Sequence, residues 1–493
     1  MRRRALKPGA AARPVLWLTA VAAAFTLVQL VLVVPGLGLG WDETVYVSQV
    51  SPQAPAAFFS APRARGVTFL VAPVTAVTTS TLALRVYLAL LSGGALFSAL
   101  WVWRRMLPTP VLAVAGALFA SLWITMFYGP QVMPNLWVAY GALIAVGCFL
   151  RAARRPGPWV LTGVAAGVGL ASLMRPTDAV WLALPLAVAA LLMRVRRQVL
   201  LLLMLATGLA IGWAGWVIEA YVRYGGLFAR LRRASDIQGH LGAYFAIDDH
   251  VRALSGRTLC RPCDVPWQHP VTSVWFLALP LLVAGGVWAA ARTRHRAAIV
   301  LATGTGLALA APYLFTVGYA APRFLLPAYA LLSLPVAQCL VRVSRVRPRW
   351  RRAAVALVAV AVAAHLAVQF RILDSTTHRV RGYIADQNRV AAELRAQGVR
   401  PPCVITGEEA IRVAFDIGCA SRQPSGHDES ITPGGLAAMA RQRPVAVLRS
   451  DERPPPAYAR RWRVHPLPDL HHRTGLRAYL SPTASPLGQA PAR

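Results

Sequence analysis

Residues 31–46 read Val-Leu-Val-Val-Pro-Gly-Leu-Gly-Leu-Gly-Trp-Asp-Glu-Thr-Val-Tyr. An apolar run ends here, and a glycine-spaced link leads into two adjacent acids, Asp42 and Glu43, held between Trp41 and Tyr46. The run before it, from Pro14 to Val34, is about twice the length of a secretory h-region, and no small-residue cleavage site precedes Trp41. It predicts a retained membrane helix. The basic residues Arg2, Arg3, Arg4, Lys7 and Arg13 place its start in the cytoplasm. Aromatics favour the membrane interface. The acidic pair is therefore expected where the first helix leaves the bilayer on the outer side, and partial desolvation there raises a carboxyl group toward general-base range.

Composition agrees. The 493 residues are 56% hydrophobic and 14% charged, against about 45–50% and about 25% in a soluble domain. A soluble enzyme, a disordered chain and a disulfide-rich secreted module are excluded. At about 20 residues per span, ten or so helices leave a sizeable aqueous portion. The formal net charge of +33 does not point to nucleic acid. The basic residues are arginines apart from Lys7, and they alternate with apolar stretches instead of forming a stripe interleaved with aromatics.

Eleven spans are expected, at about 14–34, 82–103, 109–127, 134–150, 158–173, 178–193, 198–220, 271–291, 298–317, 323–341 and 353–371. The apolar stretch 67–80 is too short to cross and reads as an interfacial helix. The even-numbered turns carry Arg104/Arg105, Arg151/Arg154/Arg155, Arg194/Arg196/Arg197, Arg292/Arg294/Arg296 and the run Arg342–Arg352, with no acid among them. The acids before residue 372 (Asp42, Glu43, Asp178, Glu219, Asp236, Asp248, Asp249, Asp264) fall on the opposite side. This is the positive-inside pattern. The chain thus divides into a membrane domain over 1–371 with outer loops 36–66 and 221–270, an extracytoplasmic α/β domain over 372–480, and a Pro/Ala/Ser tail over 481–493 expected to be disordered. In the α/β domain, Arg379 to Gln397, Glu408 to Phe415 and Pro433 to Arg441 read as helices. Cys403 to Thr406 and Pro444 to Leu448 read as strands.

Cys148 and Cys339 fall within spans. Outside, where disulfides persist, Cys403 pairs in expectation with Cys419, and Cys260 with Cys263 in a local loop. A zinc site at Cys260/Cys263 with His250 and His269 has unpersuasive spacing, and His471-His472 reads as a solvated pair. No cofactor is expected; Asp248-Asp249-His250 is a weak candidate for a divalent metal.

Three arginines stand on the outer side against the trend: Arg85 at the head of the second span, Arg175 in the tight link between the fifth and sixth, and Arg323 in Ala-Pro-Arg-Phe-Leu-Leu-Pro-Ala-Tyr at the tenth. Guanidinium groups are suited to holding a phosphate at a bilayer surface.

With Trp41-Asp42-Glu43-Thr-Val-Tyr46 after the first span, Arg85, and Pro322-Arg323-Phe-Leu-Leu-Pro327, the chain resembles the GT-C superfamily of membrane glycosyltransferases. It is most similar to the protein O-mannosyltransferase and aminoarabinose transferase branch (glycosyltransferase family 39-like). The resemblance covers about residues 1–371 and implies an α-helical polytopic fold with a small outer α/β domain. It departs where that branch often has His-Pro-Pro; here Ser60-Ala-Pro-Arg63-Ala-Arg65-Gly66 stands instead. The resemblance further implies a polyprenyl-phosphate sugar donor and an envelope glycan, lipid or protein acceptor. Asp42 would be the general base, Glu43 a positioning acid, Arg323, Arg85 and Arg175 the phosphate ligands, and Trp41 and Tyr46 acceptor or sugar contacts. A transporter or lipid flippase is the rival reading; it wants mid-membrane acids or paired repeats, and none is seen. A non-catalytic scaffold explains the outer domain but not the acids and arginines.

Overall fold

The structure, a computed structural model, describes residues 8–345, 348–470 and 474–486. The basic start up to Lys7, Arg347, His471-His472 and the last part of the tail, 487–493, lie outside the described residues. The chain forms two compact units. One comprises the chain up to Val33, Ala64–Gly66 and Val86–Thr376; the other comprises Val34–Arg63, Val67–Arg85 and the chain from Thr377 onward.

The helices in chain order are α1 (Pro8–Val28), α2 (Trp41–Val47), α3 (Gly66–Thr75), α4 (Thr81–Trp101), α5 (Thr109–Ala120), α6 (Trp123–Tyr128), α7 (Asn135–Arg154), α8 (Pro158–Met174) and α9 (Pro176–Leu191). They continue with α10 (Val195–Arg223), α11 (Leu227–Ile237), α12 (Ile247–Ala253), α13 (Val274–Ala290), α14 (Arg296–Phe315), α15 (Leu326–Val343) and α16 (Pro348–Ala396). Ten of the eleven expected spans coincide with a helix, and the third, 109–127, is broken at Ser121-Leu122 into α5 and α6. Among the described residues, eight helices are long and apolar enough to cross a membrane, while α5, α8 and α9 are shorter apolar helices. The stretch read as interfacial is α3, ten residues long.

The first unit is held by close backbone approach. Side chains in lipid have no hydrophobic gain from associating, so small residues set helix contacts. A Cβ on Gly141 of α7 would lie 2.6 Å from the Gly167 carbonyl oxygen of α8, and one on Gly167 would lie 2.7 Å from that of Gly141. Helix α7 is buried along most of its length and packs against α8 and α15.

In the second unit, β1 (Val404–Gly407), β2 (Ala420–Ser421), β3 (Val445–Ser450), β4 (Arg463–Pro466) and β5 (Leu476–Leu480) form one sheet in the order β2-β1-β3-β5-β4. Strand β1 runs parallel to β2 and β3, and β5 is antiparallel to β3 and β4. Helices α17 (Ala410–Ile417) and α18 (Pro433–Ala440) complete the unit. The expected helix at Glu408 begins two residues later because Glu409 takes a left-handed conformation, φ 58°. Strands β2, β4 and β5 escaped the sequence: β2 has two residues, β4 is an edge strand ending in proline, and β5 shows only a short period-two alternation. The expected helix 379–397 is the last part of α16, since no proline interrupts the chain between Pro348 and Pro401. Residues 481–486, read as the start of an unstructured tail, are held at the sheet: Thr483 donates to the carbonyls of Ala440 (3.0 Å) and Arg443 (2.8 Å).

Disulfides join Cys403 to Cys419 and Cys260 to Cys263. The first ties β1 to the residue after α17 across a separation of 16 residues. A loop of this size contributes about 3 kcal/mol by restricting the unfolded chain. Cys403→Ser with Cys419→Ser is therefore expected to destabilise the second unit by about 3 kcal/mol. Amide hydrogen exchange in β1 and α17 of the full-length protein reads it, and unchanged exchange would count against the staple.

Candidate active site

The acidic pair opens helix α2. Gly40 is its N-cap; the Gly40 amide donates to Glu43 Oε2 (2.8 Å), and the Thr44 amide to the Gly40 carbonyl (2.9 Å). Acids in a first turn also suit the helix dipole. Helical geometry turns the two neighbours to different surroundings. Glu43 points inward: Arg85 Nη1 donates to its Oε1 (2.5 Å) and Arg85 Nη2 to its Oε2 (2.8 Å). Arg85 also donates to the carbonyls of Leu37 (3.3 Å) and Gly38 (2.6 Å). The two side chains are 4% and 1% exposed. This is a bidentate, desolvated ion pair, the geometry in which charge pairing offsets burial.

Asp42 points outward, its side chain 33% exposed, and Oδ1 accepts from Arg63 Nη2 at 2.7 Å. Arg63 Nε donates to Ser60 Oγ (3.1 Å), and the guanidinium lies 5.3 Å from the Trp41 ring and 4.9 Å from the Tyr46 ring. Burial alone would lower the pKa of Arg63, but Asp42 and then Tyr46 outweigh it, and the net shift is upward. Arg63 stays a cation. Trp41 and Tyr46, read as ligand contacts, thus sandwich the partner of Asp42. The sequence marked residue 63 only as a departure from His-Pro-Pro. Its signal was a basic residue in the same outer loop as an acid.

The α/β part of this unit backs the acidic helix. Arg412 of α17 lies against Gly38, where a Cβ would stand 3.3 Å from its Nη2. Arg412 donates to Gln387 Oε1 (2.6 Å) and Asn388 Oδ1 (3.0 Å). Gln53 donates to the Phe415 carbonyl (3.1 Å).

In the first unit, Arg175 and Arg323 are brought to one ring. Phe324 lies 5.1 Å from the Arg175 guanidinium and 5.4 Å from that of Arg323. Arg175 donates to Asp178 Oδ2 (3.0 Å) and Tyr313 Oη (2.7 Å), and Tyr313 Oη donates to Asp178 Oδ1. Arg323 donates to the Thr258 carbonyl (2.9 Å) and Tyr128 Oη (3.4 Å). The Cys260–Cys263 disulfide begins two residues after Thr258, and Cys260 pairs with Ala320 through backbone hydrogen bonds of 2.8 and 3.2 Å. The segment before Arg323 is thereby fixed. A third cluster, unread in the sequence, joins Glu219 to Arg65 (2.6 Å) and Arg230 (3.0 Å).

Among the described residues no three His, Cys, Asp or Glu side chains come together as a metal site. Asp248 pairs with Arg252 (2.7 Å), and buried His250 faces the Tyr313 carbonyl at 3.3 Å. An apolar cavity of about 500 Å³ lies between α5, α13, α15 and α16, lined by residues such as Phe119, Trp275, Leu279, Tyr329, Val336 and Val362.

In fold the chain is similar to solved structures of ArnT and of an archaeal oligosaccharyltransferase. The chain is similar to ArnT from Cupriavidus metallidurans bound to undecaprenyl phosphate: 14% identity, TM-score 0.66, covering 96% of this chain and 99% of that one. It is similar to the apo state of that ArnT, with 15% identity, TM-score 0.64 and coverage of 97% and 100%. The apo Archaeoglobus fulgidus oligosaccharyltransferase follows at 11% identity, TM-score 0.51 and coverage of 88% and 69%. At these identities the likeness is one of fold. No protein-family profile and no curated protein matches the sequence.

Two outcomes are expected. Arg85→Met strands a buried carboxylate and costs about 3–5 kcal/mol, while Glu43→Gln added to it restores part of the loss. Chemical denaturation of the single and double variants measures this, and additive losses would contradict a coupled pair. Burial holds His250 down, to about 4, against a weaker upward pull from the Tyr313 carbonyl. The unfolded chain therefore takes up this proton first. Its contribution is complete above about pH 6.5 and is lost as pH falls toward about 4. Melting temperatures of His250→Gln across that window should slope less than wild type; equal slopes would exclude the effect.

Proposed function

We propose that the chain is an integral-membrane glycosyltransferase. It moves a sugar from a polyprenyl-phosphate-linked donor to a hydroxyl of an envelope glycan, lipid or protein, outside the cytoplasm, with inversion at the anomeric carbon. The N-terminus is cytoplasmic and the α/β domain extracytoplasmic, following the arginine distribution. The observation that carries this reading is the split between two adjacent acids, Glu43 locked by Arg85 and Asp42 open and held by Arg63.

In the reaction, Asp42 takes the proton of the acceptor hydroxyl as its oxygen attacks the anomeric carbon. The bond from that carbon to the phosphate oxygen breaks, and the phosphate leaves on its carrier. A phosphate leaving group needs charge stabilisation more than a proton, a role that the family resemblance gives to Arg323 with Arg175. Glu43 and Arg85 hold helix α2 in position. Arg63 orients the Asp42 carboxylate, and the apolar cavity takes part of a lipid chain. No metal is assigned a role.

General-base assistance is worth about 10²–10⁴ in rate. Asp42→Asn is expected to lose that factor at unchanged membrane abundance. The assay is envelope glycan composition in cells lacking the gene, complemented with wild type or variant. A sugar restored by wild type alone supports the reading, and equal restoration by Asp42→Asn removes it.

A further inference from the structure

Asn135 is 1% exposed, and its Nδ2 and Oδ1 are both buried with no hydrogen-bond partner. Among the described residues no other side chain has two separate buried polar atoms in that state. Buried polar groups are nearly always partnered, and each exception asks for an explanation. A side-chain amide offers N–H donors and a carbonyl acceptor, so it asks for a ligand that offers both acceptors and a donor.

The position of Asn135 says which ligand. It is the first residue of the 20-residue helix α7, whose N-cap is Pro134, and no side chain caps the helix. The first intrahelical hydrogen bond runs from Val138 to Pro134 (3.1 Å), so the N–H groups ahead of it point out of the helix end. Residues 135–137 are themselves buried. The Cα–Cβ bonds of a helix tilt toward its N-terminus, which carries the first-turn amide to the same end. Such an end is a ready anion site.

Two arginines, Arg175 (paired with Asp178) and Arg323, stand on segments near this helix end. Gly141 touches Gly167 and Ala171 of α8. Asn135 lies about 9 Å up α7 from that contact, and Arg175 about 6 Å along α8 from it at the same end. The 3-10 turn Pro322–Leu325, just before α15, also packs on α7, and Arg323 donates to Tyr128, seven residues before Asn135.

We propose that the N-terminal turn of α7 and the Asn135 amide form the binding site for the phosphate–sugar junction of the lipid donor. Nδ2 and the helix N–H groups donate to phosphate oxygens, and Oδ1 accepts from a hydroxyl beside them. The proposal rests on the glycosyltransferase reading given above.

The test titrates undecaprenyl phosphate into the full chain in nanodiscs and follows thermal unfolding without the lipid. Asn135→Leu should raise Kd about tenfold to a hundredfold, the loss of a hydrogen bond to a charged group. Its unfolding temperature should hold or rise, because two orphaned polar atoms are gone. Asn135→Asp, nearly isosteric, should weaken binding further by setting a carboxylate against the phosphate, and it decides the matter if the leucine variant does not fold. Kd values within about twofold of wild type overturn the proposal and leave Asn135 as a residue holding internal water. If wild type itself does not bind undecaprenyl phosphate, the lipid-donor reading falls with it. If wild type binds and the variants bind equally, only the Asn135 site falls.

Discussion

The buried ion pair between Glu43 and Arg85 is the constraint on which the acidic helix depends. Two charges removed from water are costly unless their geometry is good and their remaining hydrogen-bonding capacity is used. Here the carboxylate receives both guanidinium nitrogens and the Gly40 amide, and the guanidinium reaches two backbone carbonyls. The pair thereby joins the N-cap of α2, the link before it and the start of α4. With Glu43 fixed inward, helical geometry leaves Asp42 no choice but to face out.

Burial makes the helix a rigid carrier for a single open carboxylate. Arg63 then limits the freedom of that carboxylate from the far end of the same loop, with aromatic rings on its guanidinium. The α/β domain contributes to the same unit, with Arg412 against Gly38 and Gln53 on Phe415. It is support for the acidic helix as much as an appended module.

The membrane unit solves a different problem. Its two outer arginines that face Phe324 are fixed by their neighbours. Arg175 is tied to Asp178 and Tyr313, and Arg323 to a carbonyl beside a disulfide. A cavity lined by apolar residues from four helices accompanies them.

Much of this was legible in the chain itself. Span positions follow from runs of apolar residues, and the Asp42–Glu43 pair and the outer arginines stand out against a strongly patterned charge distribution. That four cysteines pair followed from their lying outside the spans, and their partners from closeness along the chain. What the sequence determined was which residues bear chemistry and at which helix ends they stand. Tertiary structure decided how they divide the work. Adjacent acids are chemically alike, and their separation into a buried strut and an open carboxylate comes from partners 42 and 21 residues away. Likewise Asn135 reads as an ordinary helix start until packing leaves its amide unpartnered. Pairing and desolvation are set by distances between remote segments, and local composition does not encode those distances.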